Sequence, residues 1–163
     1  MKFEFSAGGI VFKRRTKQKK RNAQNNAENI YILVSQHSGH HGWVFPKGLI
    51  DKKELGIRNH ESGTVRETKE EAALREVKEE TGIIGRIIKP LTPITYWYKF
   101  ENERIKKTVY YFLMEYVSGD IKDHDFEMEN VEWLPMDEVK NRLTYKSDKE
   151  VWRETMRILN IKD

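Results

Sequence analysis

Apolar positions in this chain gather into short runs broken by polar turns, and the runs change period along its length. Glu4 to Lys13 and Asn29 to Gln36 are rich in Ile, Val, Leu and Phe and predict two strands. Gly8-Gly9 inside the first either weakens it or marks a close approach of another backbone. A turn over 37–42 leads into a short strand, Trp43-Val44-Phe45, ended by Pro46. From about Thr68 to Thr81 the period becomes helical, and Gly82 stands where such a helix stops. Strands are predicted at 83–88 and 94–100, then a turn at 101–103, an antiparallel return over 105–117 and a strand at 131–134. A short helix is expected over 135–142. A last amphipathic helix, about 148–159, turns Val151, Trp152, Thr155, Ile158 and Leu159 inward. Strands with interspersed helices and no repeats predict an α/β fold: an α/β/α sandwich around a mixed central sheet.

The helix at 68–81 carries the chemistry. Glu76, Glu79 and Glu80 stand at i, i+3 and i+4 and project from one side, while Ala73, Leu74 and Val77 form the adjacent arc expected to bury against the sheet. Three like charges so close repel unless a cation lies among them, and hard divalent ions take carboxylate oxygens. By spacing alone the cluster is either a metal site or a solvated Glu-rich face.

At 163 residues the chain is one domain able to bury a core. It has no cysteine, which excludes disulfides, thiol catalysis and zinc-thiolate sites. No apolar stretch approaches a membrane span, and the first residues lack the apolar segment of a secretory signal, so a cytoplasmic location is expected. The net charge of +4 is local in origin. Residues 13–21 hold seven basic side chains and no acid, leaving the rest of the chain at −3. This run, with the polar stretch to residue 28, reads as a long hairpin loop that either serves solubility or attracts polyphosphate or RNA.

Arg75-Glu76-Val77-Lys78-Glu79-Glu80-Thr81-Gly82-Ile83, with Glu67 before it across seven intervening residues and the lead-in Trp43-Val44-Phe45-Pro46-Lys47-Gly48, resembles the sequence box of the Nudix hydrolases. One departure stands out. The box places five residues between its first glycine and first glutamate, whereas 18 separate Gly48 from Glu67, implying an insertion of about 13 residues near 51–66, polar and loop-like. The resemblance implies a Nudix α/β/α sandwich and hydrolysis of a nucleoside diphosphate linked to another group. It implies Mg²⁺ (or Mn²⁺) held by Glu76, Glu79, Glu80 and the Gly48 carbonyl, with Arg75 orienting the glutamates. A further carboxylate is expected from the loop before the strand at 131–134, with Glu127 favoured over Asp123, Asp125 and Glu129.

Ser6 to Phe12, Phe45 to Gly48, Tyr96-Trp97-Tyr98, Lys107-Thr108-Val109 and Leu143-Thr144-Tyr145 are similar to the diadenosine tetraphosphate hydrolase branch. On a strand Lys107, Val109 and Tyr111 share one face. By the likeness, Lys47, Lys107 and Tyr111 would contact the phosphate chain and Tyr98 or Tyr145 would stack on adenine, with cleavage to ATP and AMP. Removal of pyrophosphate from RNA 5′ ends, hydrolysis of damaged nucleoside triphosphates and a non-catalytic nucleotide-binding module are the alternatives. A monomer or homodimer is expected.

Overall fold

Two long strands, β1 (Lys2–Arg15) and β9 (Glu103–Gly119), lie side by side and parallel, in register from Lys2↔Ile105 to Phe12↔Glu115. The computed structural model describes residues 1–15, 29–50, 52–54 and 64–160. The far edge of β1 is shared. β2 (Asn29–His37) pairs with its C-terminal end, and β4 (Lys47–Leu49) with Ser6, Ala7 and Gly8. The far edge of β9 is shared likewise by β7 (Ile83–Pro90) and β8 (Ile94–Phe100). β3 (Trp43–Val44) and β10 (Met128–Pro135) both pair with β2, completing an eight-stranded mixed sheet.

Side-chain alternation along β1 separates two cores. Ala7 and Val11 join Leu33, Phe112 and Met114 beneath α1 (Lys69–Thr81). Ile10 and Phe12 join Val34, Phe45, Val109 and Leu113 beneath α3 (Lys146–Asn160), whose Trp152 is fully buried. Each large apolar side chain taken from water contributes about 1.5–3 kcal/mol. This is the expected α/β/α sandwich. Toward the N-terminus of β1 burial fades on both faces, so each side of the sheet keeps an open end.

Most predicted elements stand within a few residues of their expected ends. Thr68 is the N-cap of α1 rather than its first residue. Its hydroxyl accepts from the Glu71 N–H at 3.0 Å, and the Glu71 carboxylate accepts from the Thr68 N–H at 2.9 Å. Gly82, at φ 78°, ends the helix in the left-handed region.

Three expectations change. Leu74 is exposed and Ala72 takes its place, because Ala73, Val77 and Glu80 at i, i+4 and i+7 define the inward line and leave Leu74 at its edge. The helix expected over 135–142 is a 3-10 turn, Met136–Glu138, followed by α2 (Val139–Arg142). The insertion is not wholly loop: β5 (Lys52–Glu54) and β6 (Thr64–Arg66) pair antiparallel, Lys52↔Arg66 to Glu54↔Thr64. That ladder brings its two ends together, which is why it leaves the box contacts intact. The basic run beyond Arg15 lies outside the described residues. Among the described residues no helix is long and apolar enough to cross a membrane.

Candidate active site

Because Glu80 falls on the inward line of α1, its carboxylate is driven under the sheet edge, and the residue is only 6% exposed. It accepts the backbone N–H of Lys47 at 2.9 Å. Burial pushes its pKa up to about 8, and the charges of Glu76 and Asp125 push the same way, against the Lys47 N–H and ammonium. Glu76 and Glu79 stay nearer the rim.

Arg75 ties this corner together. Its guanidinium grips Glu67 with two bonds, Nη2 to Oε1 at 2.5 Å and Nε to Oε2 at 3.1 Å. Nη1 donates to Glu76 at 2.7 Å and to Glu79 at 3.1 Å, and Nη2 also donates to the Leu49 carbonyl at 3.1 Å. One cation thus joins the residue before the helix, the helix itself and β4. These carboxylates hold it well above the ordinary guanidinium value.

Gly48 faces Glu76 so closely that a Cβ there would lie 2.1 Å from the Glu76 carboxyl carbon. The obstacle is the end of a flexible side chain, so Gly48→Ala is expected to fold with little loss of melting temperature. Its turnover should fall about 10²-fold, the usual cost of displacing a site group by an ångström. Wild-type turnover in that variant would show that the Glu76 position is immaterial.

With Glu76 and Glu79 turned to Arg75, no three carboxylate or imidazole groups among the described residues converge on one point. The donor chemistry nevertheless fits a divalent cation. The oxygens are hard, the Gly48 cradle brings main chain against the Glu76 carboxylate, and the buried Glu80 charge is stabilised by a nearby cation.

On the other face of β4 a second group of residues assembles. Lys47 pairs with Gly8, where a Cβ would meet the Pro46 carbonyl at 2.2 Å; the close backbone approach is therefore the reason for that glycine. Lys107 sits in register between Glu4 on β1 and Tyr96 on β8. Burial and then the Lys47 charge lower its pKa, opposed by Glu4 and Glu80. Two ammonium groups close enough to repel, beside a buried carboxyl group, make a cationic spot suited to a polyanion.

The aromatic candidates divide. Tyr111 is buried, and its hydroxyl donates to Asp148 at 3.1 Å, so it supports the cleft from beneath. The Tyr98 hydroxyl donates to Glu4. Tyr145 is exposed and its hydroxyl donates to His40 Nδ1 at 3.0 Å. The Gly42 N–H donates to the same nitrogen, which makes Nδ1 an acceptor, and burial and neighbouring charges lower the His40 pKa.

The acidic loop is held against the helix. The Asp125 N–H donates to the Glu79 carbonyl at 3.2 Å, and the Ser38 N–H and hydroxyl donate to the Glu127 carbonyl. Asp125 is the loop carboxylate whose charge acts on Glu80, while the Glu127 side chain is exposed. Asp148 is not among the site residues expected from the sequence. It stands one turn before Val151 and Trp152 on the buried stripe of α3, where a carboxylate on an apolar face was the available signal. Glu4 had no such signal, since only strand register sets it beside Lys107.

Fold and site together define an α/β/α sandwich with a carboxylate-lined helix against the sheet. The NUDIX domain family model matches residues 20–155, and the chain belongs to the NUDIX family, whose members generally use divalent metal ions. It is 39% identical over 107 residues to a Mycobacterium tuberculosis protein carrying the name MutT4, covering 66% of this chain and 38% of that one. It is 29% identical over 139 residues to the asymmetrical bis(5′-nucleosyl)-tetraphosphatase of Rattus norvegicus, covering 82% of this chain and 80% of the rat protein. A C. elegans Ap4A hydrolase crystal structure superposes with a TM-score of 0.63 at 22% identity, over 96% of this chain and 98% of that one. The chain thus spans well under half of the mycobacterial relative and most of the rat one.

Proposed function

We propose that this protein hydrolyses nucleotide polyphosphates in the cytoplasm, with diadenosine tetraphosphate cleaved asymmetrically to ATP and AMP. The observation that carries the reading is that β1 register and the Lys47 N–H bond to Glu80 bring Lys47 and Lys107 near enough to Glu80 for their charges to act on one another. Two fixed cations meet a longer phosphate chain than one would, and nearby Tyr98 and Tyr145 offer exposed rings to a base. Lys47 and Lys107 orient the chain, and Tyr111 with Asp148 buttresses the wall behind it. Mg²⁺ held by Glu76, Glu79, Glu80 and the Gly48 carbonyl, with Asp125 or Glu127 completing the set, would neutralise phosphate charge and acidify a water. The water oxygen joins the phosphorus that becomes AMP, the anhydride bond breaks, and the bridging oxygen leaves with ATP. Likeness to the rat tetraphosphatase over 80% of its length favours this substrate.

Chromatography of products from diadenosine tetraphosphate and Mg²⁺ tests it. Equal ATP and AMP are expected, and two ADP would overturn the point of attack. A second reading, hydrolysis of an oxidised nucleoside triphosphate, is favoured by 28% identity over 124 residues to a Mycolicibacterium smegmatis 8-oxo-(d)GTP phosphatase. Faster turnover of 8-oxo-dGTP in the same assay would select it.

Glu80 also links the ion to stability. Between the ordinary carboxylate value and about 8, the metal-free folded protein keeps a proton that the unfolded chain has lost. The unfolded state binds fewer protons there, so stability falls as pH rises, by up to about 1.4 kcal/mol per unit. Melting temperature should drop about 3–5 °C per unit from pH 5 to 8 in EDTA. Saturating Mg²⁺, which needs the ionised carboxylate, should flatten the slope. A metal-free profile that is already flat would show Glu80 ionised throughout.

A further inference from the structure

The open end of the sheet on the α1 side, opposite the lysine cleft, is an aromatic and cationic surface with no role in the reaction above. Strand register builds it in rows: Phe3, Lys106 and Trp97 in one, Phe5, Thr108 and Thr95 in the next. Phe3 is 54% exposed, Phe5 38% and Trp97 47%, unusual for large rings on neighbouring strands. Phe5 lies nearly parallel to Tyr110, with ring centroids 6.5 Å apart and planes at 16°.

Cations interleave with the rings. Arg104 stands 4.8 Å and Lys106 5.5 Å from the centre of Trp97, Lys69 stands 4.2 Å from the centre of Tyr110, and Lys99 pairs with Arg104 across the strands. The strand positions presenting this face carry no carboxylate. The acids near it, Glu67 and Glu70, sit at the edge, in a cavity of about 350 Å³ lined by Phe5, Ile50, Tyr110 and the start of α1, and Glu67 is held by Arg75.

We propose that this face binds single-stranded nucleic acid. Bases would stack on Phe3, Phe5 and Trp97 while the phosphates meet Lys99, Arg104 and Lys106, the combination of exposed sheet aromatics and basic side chains that suits unpaired strands. Charge excludes a second copy of the chain as occupant, because four cations would face four. The rings lie on strands paired side by side, with the Thr95 and Thr108 hydroxyls 3.2 Å apart in the next row, rather than on a projecting loop tip that could enter a lipid surface.

The test is fluorescence anisotropy with a labelled, mixed-sequence single-stranded oligonucleotide bearing a 5′-hydroxyl, in EDTA to prevent hydrolysis. Trp97→Ala should weaken binding about 5- to 100-fold, the worth of one stacked base. Arg104→Ala with Lys106→Ala should lower the slope of log affinity against log salt by about 1.4, near 0.7 per phosphate contact. Both variants should keep wild-type melting and wild-type hydrolysis of diadenosine tetraphosphate, since all three side chains project from the far side of the sheet. Phe3→Ala gives an independent reading of the same row. Unchanged binding in these variants, with loss on neutralising Lys17, Lys19, Lys20 and Arg21, would overturn the proposal in favour of the basic run. No binding by the wild type at low salt would overturn it too, as would binding of phosphatidylserine vesicles without the oligonucleotide.

Discussion

Glu80→Gln is expected to lower turnover by about two to four orders of magnitude while the protein stays folded. The amide matches the carboxylate in volume and can still accept the Lys47 N–H, so packing survives. What is lost is a negative charge in a buried position, where it has its greatest effect on an ion or a phosphate. Glu79→Gln should also impair turnover, but less, because Glu79 is half exposed and water screens its charge on an ion more than it screens that of Glu80. Turnover at saturating Mg²⁺, read beside melting temperature, distinguishes lost chemistry from lost structure. Near-normal turnover in both variants would remove this helix from the reaction. The Glu80 variant should also reduce the pH slope in melting temperature, a readout independent of activity.

Arg75→Ala should be the most destabilising substitution at the site, lowering stability by about 3 kcal/mol. For a chain of this size that is a fall of about 6–12 °C in melting temperature. The Glu67 side chain is 6% exposed and loses both bonds from the guanidinium, while Leu49, Glu76 and Glu79 lose theirs at the same time. Arg75→Lys should recover only part of the loss, because one ammonium cannot reproduce the planar two-pronged contact. In a double-mutant cycle with Glu67→Gln, the two costs should be clearly less than additive. Full additivity would show that the pair contributes nothing of its own.

Arg75 also shows how an 18-residue spacing can stand where five are expected. The guanidinium grips Glu67, the residue just after the insertion, and β5 and β6 hold the two ends of the inserted segment side by side. The site therefore meets the same glutamate whatever the length between. Counting residues identifies the insertion, but a count carries no pairing, and its polar residues predict loop where a short ladder stands.

Local rules were enough for the helix and for most strands. The period of 3.6, the Thr68 cap, the Gly82 stop and alternating apolar runs each depend on neighbours within a few residues. The order of residue types from Arg75 to Ile83 likewise sufficed to indicate the family, which the match over residues 20–155 bears out. Burial within the carboxylate cluster was less legible. Spacing put Glu76, Glu79 and Glu80 on one side, but only packing against the sheet made Glu80 the buried member and left Glu79 at the rim.

By itself, then, the sequence determined the elements, their faces and the chemical class of the helix, because those follow from short-range periodicity and local residue order. Tertiary structure alone decided that the Lys47 charge acts on Lys107, that Asp148 supports Tyr111, that Asp125 is the loop carboxylate acting on Glu80, and that Phe3, Lys106 and Trp97 form one row across three strands. These pairs are distant in the chain. They meet only through the register of β1, β8 and β9 and the seating of α3, and no local pattern encodes that register.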